Sequence, residues 1–353
     1  MTRPSWILPD GMEECLPEEA WAIEDGRRRC LDLFRQSGFG LIMPPMVEYL
    51  DSLTSGVGQD LSDQIMVITD RVSGRLMGVR PDMTPQAARI DAHALNEAGT
   101  TRLCYCGSVL RAVASGGDSS RSPLQLGAEI FGNPDLSADI EVVQLALDTV
   151  RLFTDEPLMI DFGHAGALKS VLVNESAMFR AKALDALARK DLDALATLEQ
   201  TVPEIAVFKD AYGELDTVML RCESVELLKK ACDDITEVRR GLNADQVSWY
   251  CDLGETHGLN YHTGLVFGIY SIQRDQLLVR GGRYDHVGES FGRARAATGF
   301  SADLKIYFWI ILIISFDIKS DISVNELDLK EVFKSGRSLI SLDNGLHYLE
   351  EEL

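Results

Sequence analysis

From Gln125 to Ile130 polar and apolar positions alternate one for one. A strand turns successive side chains to opposite faces, so Gln125, Gly127 and Glu129 share one face while Leu126, Ala128 and Ile130 share the other. The apolar face is core. An amide and a carboxylate on the opposite face, with a glycine clearing space between them, are costly to bury without polar partners, which a donor-rich ligand would supply. Arg102–Ala114 is the strand expected before this one, and Ser115-Gly116-Gly117-Asp118-Ser119-Ser120 between them has the composition of a loop.

Helical periodicity appears first from Pro17 to Ser37, where Ile23, Cys30 and Phe34 recur on one face. Proline with Glu18-Glu19 starts that helix and Gly38 follows its end. Phe39–Leu53 is expected to be extended and broken by Pro44-Pro45. Gln64–Ile68 and Leu76–Arg80 predict two strands around a Ser73-Gly74 turn. Pro85–Ala98 and Ala138–Phe153 are predicted helices, and Leu158–Asp161 a short strand ending at Gly163-His164. From Ala165 to Val247 the pattern is helical, with room for about four short helices. This segment is expected to be an all-helical insertion, 165–247, dividing a core made of 1–164 and 248–305. Strand character returns at Val247–Asp252, Leu265–Ile272 and Gln276–Val279, the last two as a hairpin around Arg274-Asp275. Neighbouring strands of this kind predict an α+β fold with a mostly antiparallel sheet flanked by helices.

The tail has a different composition. Ile306–Ile314 is an apolar run, and from Ile306 to Leu353 there is no Ala, Pro, Cys or Met. The run falls well short of the ~20 residues that span a membrane, so a buried helix or strand is expected. A divergent end and an out-of-frame end both fit the abrupt change.

At 353 residues and 46% hydrophobic content, the chain can bury a large core. Its formal charge of −21 repels phosphate backbones, which disfavours nucleic acid as a partner. Seven cysteines, without a Cys-x-x-Cys pair or a secretory signal pattern at the start, predict reduced thiols in a cytoplasm. Cys104 and Cys106 have no His or Cys companions at finger spacing, so small buried thiols are preferred over metal ligands. No metal and no cofactor are expected.

Five segments, in order, resemble those of class II histidyl-tRNA synthetases: Gly38-Phe39 with Met43-Pro44-Pro45-Met46-Val47-Glu48; Arg80-Pro81-Asp82-Met83-Thr84-Pro85; Val109-Leu110-Arg111 with Gln125–Gly132; Tyr261-His262-Thr263-Gly264-Leu265-Val266-Phe267; and Arg280–Asp285. The resemblance covers about residues 1–305. It implies the class II synthetase core, dimerising near Phe39–Leu50. It also implies a histidine pocket in which Asp82, standing where the family usually has glutamate, holds the ligand's amino group with Thr84 and Gln125. Glu129 and Tyr284 would bind the imidazole and Tyr261 would form a wall. The chemistry agrees, because an ammonium needs a carboxylate and an imidazole N–H needs an acceptor. Without the resemblance, Gln125 and Glu129 read equally well as a structural network facing an arginine such as Arg280. His262 is either wall or core, and Arg283 and Asp285 are expected to fix a turn at Gly281-Gly282.

The resemblance carries less of the adenylation chemistry. Arg111 matches the first phosphate-binding arginine. His257 falls where the synthetase has its second, or is an ordinary loop residue; Val113 replaces a motif 2 glutamate, and Ile306 falls where the motif 3 arginine is expected. A histidine with a pKa of about 6.5 is mostly neutral at pH 7 and does not substitute for a guanidinium. Losing one such donor costs about 3 kcal/mol in the transition state. Residues 306–353 also contain no recognisable anticodon-binding domain. A histidine pocket without activation chemistry is similar to the regulatory subunits of ATP phosphoribosyltransferase, synthetase paralogues that bind the short-form catalytic subunit. That resemblance implies a hetero-octamer with the catalytic subunit, a self-dimer, L-histidine as ligand, and no membrane or nucleic-acid partner. In that reading bound histidine orders Tyr261–Val266 and Ser115–Ser122 and favours an inhibited complex. A histidine-activating enzyme, and an interaction module with a vestigial pocket, are the alternatives.

Overall fold

Helix α1 (Pro17–Gln36) begins at a proline whose missing N–H would have been unpaired in any case, and Gly38 at φ +83° leads the chain away from its end. A computed structural model describes residues 6–55, 59–114, 120–222, 224–255 and 262–307, with the backbone of 339–342 and 345–348. The chain divides into two units, Met1–Trp309 and Ile310–Leu353.

In the first unit α1 is followed by β1 (Gly40–Leu41), β2 (Val47–Tyr49), α2 (Leu50–Thr54), α3 (Gln59–Ser62), β3 (Met66–Thr69), β4 (Leu76–Val79) and α4 (Thr84–Arg89). Next come β5 (Thr101–Ser108), β6 (Leu124–Phe131), α5 (Leu136–Arg151) and β7 (Leu158–His164). Then follow α6 (Ala165–Leu172), α7 (Ala177–Ala188), α8 (Leu192–Glu199), β8 (Tyr212–Glu214), α9 (Leu215–Cys222) and α10 (Glu226–Gly241). β9 (Val247–Asp252), β10 (Leu265–Ser271), β11 (Gln276–Arg283) and β12 (Ala297–Asp303) complete the unit. The main sheet runs β1-β5-β6-β12-β11-β10-β7-β9-β8, and only the β1–β5 and β7–β9 pairs are parallel. A second sheet has the order β2-β4-β3. Antiparallel pairing and the β10–β11 hairpin agree with the sequence pattern, with Asp275 taking a left-handed turn conformation at φ +48°.

The apolar face of the main sheet is the core. Leu126, Ala128 and Ile130 are fully buried, and Phe34 of α1 meets Phe300 of β12 edge to face at 5.9 Å. Tyr307, just past β12, stacks on Phe153 at 4.5 Å, so the first tail residues belong to this core. Arg283 at the end of β11 donates to Asp139 of α5 at 2.6 and 3.0 Å, and to the carbonyls of Asn133 and Asp135. This buried pair ties the sheet to α5.

Several expectations are corrected. The helix expected to Ala98 becomes a wide π turn over Ile90–Leu95 and stops at left-handed Asn96. The strand expected to Ala114 ends at Ser108, because Arg80 takes the Ser108 carbonyl and the chain then pairs with Arg80 and Gln64. Phe39–Leu53 is not extended throughout; it turns helical at Leu50. The 165–247 segment contains the short strand β8, which pairs with β9 at the sheet edge. Gly281-Gly282 lies inside β11 and makes no turn, and the main partner of Arg283 is Asp139, with Asp285 secondary at 3.3 Å. In the second unit, Leu339–Leu342 pairs antiparallel with Gly345–Tyr348. Residues 308–314 of the apolar run lie outside the described residues. No helix among the described residues is long and apolar enough to cross a membrane.

Removing one member of a buried ion pair leaves the other charge uncompensated. Asp139→Ala is expected to lower the unfolding free energy by about 3 kcal/mol, read by urea titration, more than an exposed pair such as Arg28–Asp25 would cost.

Candidate functional site

Strand register decides which residues meet on the polar face. Tyr105, Gly127, Ser301, Arg280, Gly268 and Asp161 form one row across the sheet. Leu103, Glu129, Gly299, Gly282, Val266 and Gly163 form the next. The glycines lower the floor. A Cβ on Gly299 would collide with Glu129 Oε2, so the carboxylate lies in space that only glycine leaves. A Cβ on Gly127 would fall 2.5 Å from the ring and hydroxyl of Tyr105. The space cleared by Gly127 is therefore filled by Tyr105 and not left for a ligand, which corrects the sequence reading.

Glu129 is 1% exposed. Tyr105 donates its hydroxyl to Oε1 at 2.8 Å, and Tyr284 donates to Oε2. Burial pushes the Glu129 carboxyl up to about 8, with the nearby charge of Asp82 adding to the rise and the hydroxyls of Tyr284, Tyr105 and Thr84 opposing it. Gln125 accepts the Met83 N–H at 2.8 Å and donates to Asp82 Oδ1 at 3.0 Å. Asp82 Oδ1 also accepts the Thr84 N–H at 2.7 Å, and the Thr84 hydroxyl meets that of Tyr105 at 2.9 Å. The structure thus joins Asp82, Thr84, Gln125, Glu129 and Tyr284 in one network. The amide and the carboxylate have partners within the protein, so their burial does not by itself require a ligand.

Two residues of this arrangement escaped the sequence reading. Tyr105 links Thr84 to Glu129, and its alignment with Gly127 depends on a register that sequence does not display. Arg80 is 6% exposed and holds the Pro44 carbonyl at 2.7 Å and the Ser108 carbonyl at 3.0 Å, fixing the segment that leads to Asp82. Its position in Arg80-Pro81-Asp82 was the only signal.

The remaining candidates are more dispersed. Arg111 forms a β-bridge with Ile65, and its carbonyl accepts from Arg121 at 3.1 Å; among the described residues no hydrogen bond or ion pair connects its side chain to the Gln125–Glu129 network. His262 lies over Gly282, with ring Cδ2 2.8 Å from where a Cβ would sit, and its carbonyl accepts from Lys169. It lines a cleft of about 40 Å³ with Asp161, Glu255, Tyr270 and Arg280, next to the Gln125–Glu129 network and not part of it. His257 and Tyr261 lie outside the described residues, as does 115–119 of the expected loop. Val113 is 60% exposed, and Ile306 is half-buried. Cys104 is buried, and no group of three or more metal-ligating His, Cys, Asp or Glu side chains occurs among the described residues.

An antiparallel sheet with a polar, glycine-floored face and helices behind it defines the class II synthetase core. The chain belongs to the histidyl-tRNA synthetase family, whose model matches residues 11–306, and within it to the ATP phosphoribosyltransferase regulatory subunits. It is 44% identical over 311 residues to the ATP phosphoribosyltransferase regulatory subunit of Azoarcus sp. (strain BH72), covering 85% of this chain and 80% of that protein. Identity to the same subunit of Pseudomonas entomophila (strain L48) is 43%, over 86% and 80% of the two chains. Among solved structures, an ATP phosphoribosyltransferase regulatory subunit/histidyl-tRNA synthetase from Bacillus halodurans superposes with TM-score 0.75 at 23% identity, over 88% and 84% of the chains. The ATP phosphoribosyl transferase (HisG:HisZ) complex from Thermotoga maritima gives TM-score 0.62 at 18% identity, over 80% and 97%. These two structural likenesses establish the fold.

A carboxyl titrating near 8 when folded and near 4.5 when unfolded binds more protons in the folded state between those values. Its favourable contribution is present below pH 4.5 and is lost as pH rises to 8. In ligand-free protein, Glu129→Gln should therefore gain stability relative to the parent chain by about 2–3 kcal/mol between pH 6 and pH 8. Urea unfolding at the two pH values measures this, and a difference independent of pH would mean that Glu129 is ionised throughout.

Proposed function

We infer that this chain is the non-catalytic regulatory subunit of an ATP phosphoribosyltransferase complex, joining the short-form catalytic subunit and sensing L-histidine for feedback inhibition of the first step of histidine biosynthesis. The observation that carries this reading is 44% identity across 85% of the chain to a regulatory subunit of that enzyme. The site supports it chemically. Asp82, Thr84 and Gln125 cluster as acceptors and donors suited to an ammonium, and the Glu129 carboxyl is placed to meet an imidazole N–H. The exposed Val113 and the half-buried Ile306 supply none of the charge that phosphate chemistry needs.

In this reading histidine shifts the complex toward an inhibited arrangement because it binds that arrangement more tightly, and affinity for one state alone would shift nothing without that difference. The catalytic subunit supplies all bond-making steps. A self-dimer is proposed through the Phe39–Leu50 region, where Leu41, Met43, Met46 and Tyr49 are exposed beside the exposed Val67 and Ile68 of β3. Two such dimers joined to catalytic chains would give the hetero-octamer.

Phosphoribosyl-ATP formation by a short-form catalytic subunit, followed with and without this chain across a histidine titration, tests the assignment. Activation by the chain together with histidine inhibition is the expected result, and unchanged activity at associating concentrations would overturn it. Glu129→Ala should leave activation intact while raising the inhibitory histidine concentration at least tenfold. For the dimer, Met43→Asp is expected to halve the light-scattering mass of the isolated chain at micromolar concentration, and an unchanged mass would place the interface elsewhere.

A further inference from the structure

Arg280 stands on the polar face of the main sheet, in the same row as Gly127 and between Ser301 and Gly268. Its side chain is exposed, and among the described residues it makes no hydrogen bond or ion pair. Other arginines at this sheet are committed: Arg283 to Asp139, Arg80 to the carbonyls of Pro44 and Ser108, Arg102 to Glu141, and Arg295 to Asp91. Strands lie ~4.8 Å apart, so the Arg280 Cα is about 10 Å from that of Gly127 across a floor of glycine and serine. Ser301, Gly299 and Gly282 themselves present no long side chain, and the groups that reach over this floor are the Glu129 carboxylate above Gly299, the His262 ring above Gly282 and the Tyr105 ring above Gly127.

Among the described residues, the groups of the network that would hold an amino acid include no cation. Asp82 and Glu129 are carboxyls, and Thr84, Gln125, Tyr105 and Tyr284 are neutral. These groups suit an ammonium and an imidazole, yet an amino acid also carries a carboxylate that must be stripped of water when it binds. Arg111 is tied by its backbone to Ile65 and Arg121, toward the second sheet. Arg280 instead lines the cleft beside His262 and shares the floor with the network.

We propose that Arg280 is the receptor for the ligand's α-carboxylate, through the forked pair of N–H donors that a guanidinium offers a carboxylate. This inference rests on the reading of the site as a histidine pocket. It makes Arg280 a specificity residue for free amino acid, since a ligand with the same imidazole and ammonium but no carboxylate gains nothing from it. It also places a cation at β11 between the acidic groups of the network and those of the cleft, Asp161 and Glu255.

Calorimetric titration of the full chain with L-histidine and with L-histidinol, in which a hydroxymethyl replaces the carboxylate, tests the proposal. The parent chain should bind histidine more tightly than histidinol. Arg280→Gln should weaken histidine at least tenfold and histidinol less than threefold, so that the preference collapses, and Arg280→Lys should restore part of it. An unchanged histidine affinity in Arg280→Gln overturns the proposal and leaves the pocket reading standing. An equal loss for both ligands overturns it too, because Arg280 would then act through structure. If Arg111→Gln abolishes the preference and Arg280→Gln does not, the carboxylate belongs to Arg111. No histidine binding by the parent chain overturns the pocket reading and this inference together.

Discussion

The site depends on keeping a carboxyl group inside a sheet. Glu129 is buried on the polar face, where its partners in the described network are neutral hydroxyls. Two conditions make this tolerable: the missing side chain of Gly299, which leaves room for Oε2, and the hydroxyls of Tyr105 and Tyr284, which reach both oxygens. Each partner comes from a different strand or strand end, so β5, β6, β12 and β11 must all pair in one register. A one-residue slip would send Glu129 into the apolar face and bring Leu126, Ala128 and Ile130 out.

Two clamps hold that register at its ends. Arg283 ties the end of β11 to α5, and Tyr284 follows it directly, so the buried Arg283–Asp139 pair sets where the Tyr284 hydroxyl falls. At the other end, Arg80 joins the Pro44 carbonyl to the Ser108 carbonyl and places Asp82 two residues on. Helix α4 connects the site to the exposed apolar face. Thr84 at its start meets Tyr105, and Gln86 and Arg89 later in it bind Glu48 at 2.7 and 2.6 Å. The Gln125–Glu129 network and the Phe39–Leu50 segment are thus attached to one short helix. A ligand that alters the first has a physical contact through which to alter the second.

A candidate recognition network beside missing charge is the pattern that the proposed sensing role would produce in a synthetase fold. The groups that would read an imidazole and an ammonium are assembled, while Val113 and Ile306 are apolar where phosphate chemistry needs charge or its partners. Burial that pushes the Glu129 carboxyl up to about 8 adds a further property. Binding a donor to the ionised form must expel a proton, so occupancy and protonation are linked at this site.

By itself the sequence determined many of the local elements and the residue types of the candidate site. Proline and glycine signals bounded α1, the alternation in Gln125–Ile130 marked a two-faced strand, and the order of motifs identified the family, because each of these is written in residues close together in the chain. It also brought Asp82, Thr84, Gln125, Glu129 and Tyr284 forward as one set. Only the tertiary structure decided that Tyr105 fills the space over Gly127, that Gly281-Gly282 runs through a strand, that β8 joins the sheet edge, and that Arg283 is claimed by Asp139. These outcomes depend on register and on contacts across more than a hundred residues for the Arg283 pair, and no local pattern encodes which distant side chain will arrive. The same holds for Arg280, whose residue type was visible but whose place in the row of Gly127 and Ser301 was not.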